Sequence, residues 1–160
     1  MALKRPAWKP GTLVLLEHDS RILRDNALRD PHRRKLAVWL PPQYDEDAGR
    51  GRGRRFPVLY DLVGFTGSGL SHVAWKSFSE NVPERVARLI YERRMAPTIM
   101  VFPDCFTALG GNQYVNSTAI GRYADYLTKE IVPFVDREFR TLASREHRGC
   151  FGKSSGGYGA

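Results

Sequence analysis

Apolar side chains along this chain fall into short runs, punctuated by polar residues, glycine and proline. Thr12–Glu17 and Lys35–Leu40 are two such runs, each of strand length. Pro41-Pro42 ends the second sharply, because proline brings no N–H to a ladder. The polar stretch Asp19–Arg34 between them predicts turns, centred near Asp25-Asn26. Pro57–Val63 predicts a third strand. It runs into the turn Gly64-Phe65-Thr66-Gly67-Ser68-Gly69, with no helix expected to open directly on it. The period then changes. Val82, Val86, Leu89 and Ile90 share one helical face, with Asn81 placed to cap it and Pro83 tolerated in its first turn. Pro97–Phe102 is continuously apolar, as a strand covered on both faces is, and Pro103-Asp104 stops it. Ile120, Tyr123, Ala124, Leu127, Ile131, Phe134 and Val135 form a longer helical stripe. Ser117 or Thr118 is placed to cap it and Pro133 to kink or divide it. His147–Phe151 reads as a last strand, leading into Gly152-Lys153-Ser154-Ser155-Gly156-Gly157.

From Pro57 onward strands and helices alternate, which is an α/β pattern. The crossovers are long enough to make those strands parallel, with right-handed connections. No helix separates the first two strands, so they are expected to pair antiparallel at one edge.

At 160 residues the chain has room for one domain, and 42% hydrophobic with 26% charged residues is a globular composition. No apolar run approaches the ~20 residues that cross a bilayer, and Leu13-Val14-Leu15-Leu16 is too short for a signal peptide. The expectation is a cytoplasmic protein with no membrane partner. Net charge is +8, of which +6 falls in residues 1–55. The densest cluster is Gly49-Arg50-Gly51-Arg52-Gly53-Arg54-Arg55. Such runs can grip phosphates, but no aromatic residue interleaves to stack bases, so a solvated loop and no nucleic-acid partner are expected. Cys105 and Cys150 match no metal-ligand spacing, and free thiols suit a reducing compartment. Neither a metal nor a cofactor is called for, and the oligomeric state is left open.

The chemistry concentrates near the end. Gly152-Lys153-Ser154-Ser155-Gly156 fits G-x-S-x-G, with a strand before it and small residues after it. In a nucleophile elbow the glycines flank the serine because a sharp strand-to-helix turn crowds the backbone. An ordinary Gly/Ser turn fits the five residues equally well. A phosphate-binding loop does not fit, since it needs glycine at position 147, which is histidine. Gly64–Gly69 is spaced G-x-x-G-x-G, not the dinucleotide fingerprint. Beside a serine elbow that turn gains another role, supplying a backbone N–H to an oxyanion.

The succession Leu36–Leu40 with Pro41-Pro42-Gln43-Tyr44-Asp45, Pro57–Gly64, Val101-Phe102-Pro103-Asp104, Glu130–Asp136 and Gly152–Gly157 resembles the esterase branch of the α/β-hydrolase fold. That branch holds enterochelin-esterase-like enzymes, esterase D, feruloyl esterases and mycolyltransferases. The resemblance runs from about Lys35 to Ala160. It implies the N-terminal half of an α/β-hydrolase domain over residues 1–160: a mostly parallel sheet with an antiparallel N-terminal edge and helices on both faces. It also implies Ser154 as nucleophile of a serine carboxylic-ester hydrolase, with the amides of Phe65 and Ser155 as oxyanion hole and Gly152 and Gly156 as elbow glycines. Asp104 and the loop Cys105–Asn116 should then border the pocket at the carboxyl ends of the strands, with Tyr114 and Asn116 touching the ester substrate. Packing around the next helix cap is an equal alternative for that loop. The family's His-Gly at the third strand's end is Val63-Gly64 here.

In this fold the acid and histidine follow the serine in chain order, yet Ser155–Ala160 contain neither. The resemblance therefore places both outside these residues and implies that the 160-residue chain alone is inactive. His147 begins the strand that ends at the elbow and is expected to face solvent. Two other readings stay open, an acyltransferase on the same fold and a non-catalytic binding domain. The family's strand order also sets the Val58–Val63 strand between those of Cys105 and Cys150. Two inter-strand steps are about 9–10 Å, so no disulfide is expected.

Overall fold

The computed structural model describes residues 6–46 and 53–160. Five strands build the main sheet in the order β1-β2-β4-β3-β7. β1 (Thr12–Asp19) and β2 (Arg33–Leu40) form the antiparallel edge, in register from Thr12 opposite Leu40 to Asp19 opposite Arg33. β2 is antiparallel to β4 (Ile99–Pro103), while β3 (Val58–Leu62) runs parallel to both β4 and β7 (Arg148–Gly152). This is the mixed α/β sheet that the alternation of periods implies. β3 and β4 lie inside the sheet with both faces covered, and β4 is apolar throughout while β3 carries the one carboxylate of Asp61.

One face carries α2 (Gly69–Val73) and α3 (Val82–Tyr91), packed on Ala37, Trp39, Met100 and Phe102. Asn81 caps α3 in a full capping box. Its side chain accepts from Glu84 N at 2.9 Å, and Glu84 returns a bond to Asn81 N at 2.9 Å. The other face carries a helical rod built from α4 (Tyr123–Asp125), a π-helical stretch (Tyr126–Ile131) and α5 (Val132–Glu138). Tyr123, Tyr126, Ile131 and Val135 press from the rod onto Val38, Tyr60, Leu62 and Val101.

Sequence and structure part at three places. A short helix, α2, does open on the glycine-rich turn. Ser117 and Thr118 do not cap the rod, because Asn116–Ser117 (β5) pairs with Gly121–Arg122 (β6) and delays the helix to Tyr123. Asn116 does the capping instead, its Oδ1 accepting from Asp125 N at 3.0 Å. At Pro133 the rod stays continuous. The wide π turns just before it take up the carbonyls that the proline cannot satisfy, and Val132 N reaches back to Leu127 O. The rod also anchors the β1–β2 connection, where Glu130 accepts from Arg21 N, Ile22 N and Ser20 Oγ.

Pro42–Glu46 is a short helix, α1, that follows β2. Gly49–Arg52 of the arginine-glycine run lies outside the described residues. Arg55 is tied down, its guanidinium donating to Thr141 O at 3.0 Å. Among the described residues no helix is long and apolar enough to cross a membrane.

Candidate active site

The elbow is built by crowding. β7 ends at Gly152, and α6 (Ser155–Gly159) begins three residues later. A Cβ on Gly152 or on Gly156 would strike the Leu62 carbonyl of the neighbouring strand, so both positions admit glycine alone. Ser154 between them has φ 57° and ψ −123°, a conformation sparsely populated by residues with a Cβ. Gly156 N bonds Lys153 O and Tyr158 N bonds Ser154 O, both at 3.0 Å, which closes the turn into α6. Ser154 is exposed and Ser155 behind it is buried.

The glycine-rich turn after β3 lies against this elbow. A Cβ built on Gly64 would sit 3.6 Å from Lys153 O and 3.8 Å from Ser154 Cβ. Two segments about ninety residues apart in sequence thus meet at one strand end, because β3 and β7 are parallel neighbours. Gly67 N bonds Gly64 O at 3.1 Å, and Phe65 O accepts from Gly111 N. Gly111 must be glycine, since a Cβ there would meet the Phe65 backbone. Among the described residues neither Phe65 N–H nor Ser155 N–H has an acceptor. Both donors are therefore free at the end of the sheet where Ser154 is exposed.

The loop after β4 is held from below. Arg34, almost wholly buried, donates to Phe106 O and Tyr123 Oη at 2.7 Å each and lies 3.6 Å from Asp104 Oδ2. Asp104 Oδ1 accepts from Phe106 N at 3.1 Å. Asn112 bridges the loop, donating to Cys105 O and accepting from Tyr114 N, both at 2.6 Å. Tyr114 is buried and its hydroxyl donates to Val63 O at 2.6 Å, directly beside the turn. Burial pushes the Tyr114 and Cys105 ionisations well above their ordinary values, and Tyr123 up to about 12. Of the residues that sequence singles out, Gly152, Ser154, Ser155 and Gly156 share one turn, and Phe65 follows Gly64, which lies against it. Tyr114 braces that junction from within, and Asn116 stands at the start of the rod.

No histidine bonds Ser154 Oγ among the described residues. His147 is exposed, 3.2 Å from Ser144 Oγ. His18 lies 3.5 Å from Glu130 and His32 lies 3.5 Å from Asp19. His72 Nδ1 stands 2.6 Å from Asp61 Oδ2, a pair that sequence reading passes over. Its signal was present: a carboxylate inside the apolar run Val58–Val63 needs a partner once buried. Burial raises the Asp61 ionisation, and the bond and charge of His72 only partly offset this. Among the described residues no three His, Cys, Asp or Glu side chains cluster as metal ligands would.

A family model described as "Putative esterase" matches residues 28–160. Among solved structures, a ferulic acid esterase superposes with TM-score 0.71 at 23% identity, over 94% of this chain and 53% of its own. The fluorophosphonate-binding serine hydrolase F of Staphylococcus aureus gives 0.70 at 19%, over 94% and 50%. An S-formylglutathione hydrolase of Agrobacterium tumefaciens gives 0.64 at 20%, over 99% and 54%. At such identities the likeness speaks for the fold. The chain spans about half the length of each of these structures.

Proposed function

The chain belongs to the esterase family that matches residues 28–160, and from that premise we propose that it carries the nucleophile half of a serine carboxylic-ester hydrolase. Ser154 attacks the ester carbonyl, its hydroxyl proton passing to a histidine base. The base and the carboxylate that orients it come from residues beyond these 160. The N–H groups of Phe65 and Ser155 receive the oxyanion, each such donor typically contributing about 3–4 kcal/mol at the transition state. Collapse expels the alcohol, protonated by the same histidine, and leaves the acyl group on Ser154. Water then attacks the acyl-enzyme and releases the acid. Asp104 borders the pocket on the β4 side, and the loop that Arg34 and Asn112 hold forms its wall. Two free cysteines agree with a reducing compartment such as the cytoplasm.

The observation that carries this reading is the strained Ser154 backbone, wedged between two glycines that cannot bear a side chain and facing Gly64 across the strand ends. Arg29 and Arg93 also have a positive φ, so the signal is that angle in a serine set between two glycines that admit no Cβ. The test is turnover of an activated ester. A version continued to the length of the matched structures should hydrolyse it and lose that activity on Ser154→Ala. The 160-residue chain should do no better than its own Ser154→Ala variant. Undiminished turnover in the longer Ser154→Ala protein sinks the proposal.

A further inference from the structure

Asp61 is 1% exposed, yet it stands in a strand whose other side chains are apolar or aromatic. Side chains alternate along β3. Tyr60 and Leu62 join the core under the rod, whereas Leu59 packs with the α2–α3 side. Asp61 shares the face of Leu59, and there His72 of α2 meets it at 2.6 Å. Its second oxygen, Oδ1, is buried without a partner. A buried carboxylate with one bond is a poor source of stability, since an apolar pair of similar size commonly does as well or better. What the pair does have is position. Asp61 and His72 stand at the two ends of the segment 62–71, which contains the whole Gly64–Gly69 turn.

The segment has other ties: Leu70 and Val73 of α2 pack in the cluster that holds Phe102, and Gly67 N bonds Gly64 O within the turn. Tyr114 Oη holds Val63 O, Gly111 holds Phe65 O, and Gly69 rests on the Phe102–Pro103 backbone. None of these is a hydrogen bond between β3 and α2. The imidazole makes one, through a rigid ring and a directed N–H, and so ties α2 to the β3 end next to the elbow. His72 is not a candidate base for Ser154. It sits on the α2–α3 face, whereas α6 packs toward Tyr114 and Leu62 on the other.

We infer that Asp61 and His72 are a positioning pair, closing the base of the 62–71 segment so that the Phe65 N–H is held beside Ser154. This rests on the esterase reading above for its purpose, though not for its geometry. Loss of the bond should loosen the turn and weaken oxyanion binding, which appears in the transition state and not in the ground state.

The experiment compares wild type, His72→Ala, His72→Asn and Asp61→Leu. Asparagine sets an amide donor near the place of Nδ1–H. In the 160-residue chain, exchange of the Gly67 and Ser71 amides, which bond Gly64 O and Ser68 O, should quicken about tenfold in His72→Ala relative to Ile99–Phe102, and return to within about threefold of wild type in His72→Asn. Asp61→Leu should melt no lower than wild type and still loosen the turn. In the longer, ester-cleaving version, His72→Ala should lower kcat per labelled Ser154 about tenfold and leave KM within about twofold. An unchanged turn in His72→Ala, or exchange that quickens equally in β4, overturns the inference. So does a loss confined to KM. Turnover that survives Ser154→Ala defeats the esterase reading alone and leaves the exchange result standing, so the two failures are told apart.

Discussion

Ser154 holds a backbone conformation that glycine adopts freely and serine does not, with φ 57° and ψ −123°. Such a residue typically carries about 1–3 kcal/mol of strain. Ser154→Gly should therefore fold more stably than wild type, by about 1 kcal/mol in a denaturant titration, while removing the hydroxyl. A Ser154→Gly protein less stable than wild type would mean that the turn is relaxed, and the nucleophile reading would lose its main support. The neighbouring glycines act in the opposite sense, since a methyl on Gly152 or Gly156 meets the Leu62 carbonyl and has nowhere to go. The crowding at Gly152 and Gly156 was legible in sequence as a local G-x-S-x-G pattern, though that pattern alone fits an ordinary Gly/Ser turn equally well. Asp61 and His72 are not local. Their meeting depends on α2 folding back over β3, and no spacing rule announces it.

Among the elements, α3 was the most legible. Its apolar period, the cap at Asn81 and Pro83 in the first turn all agree with the helix Val82–Tyr91. Glu84 adds the reciprocal bond of a capping box. Asn81→Ala removes the acceptor for Glu84 N and should cost about 1 kcal/mol of stability, read as a shift in the thermal midpoint with the unfolding cooperativity unchanged. A neutral result would show that α3 is held by Val86, Ala87 and Ile90 alone. The shorter elements escaped for a physical reason. α2 has five residues, fewer than two turns, and its Gly-Leu-Ser composition reads as a bend. β5 and β6 have two residues each, below any period that alternation can reveal. Their hairpin is what moves the start of the rod from the serine-threonine pair to Tyr123.

For the molecule as a whole, the strand order that the family resemblance implies can be checked against the sheet. β3 lies between β4 and β7, so Cys105 just past β4 and Cys150 within β7 are at least two strand spacings apart, about 9–10 Å or more, since Cys150 is level with Val101. Both are free, Cys105 buried and Cys150 exposed. Burial also pushes the Cys105 thiol well above its usual ionisation, which withholds the reactive thiolate. Native protein should take up one equivalent of a thiol reagent, at Cys150, and denatured protein two. A Cys105–Cys150 linked peptide in an unreduced digest would contradict the strand order itself.

The central claim is that Ser154 is the nucleophile of an ester hydrolase, set in an elbow that these residues form and activated by groups beyond them. The most direct measurement is covalent. Protein continued to the length of the matched structures is treated with a fluorophosphonate and digested, and the adduct is mapped by mass. A single adduct on Ser154, absent from Ser154→Ala and absent from the 160-residue chain, is the result predicted. An adduct on another residue of the longer protein, or stoichiometric labelling of Ser154 in the 160-residue chain without a histidine to activate it, would contradict the account.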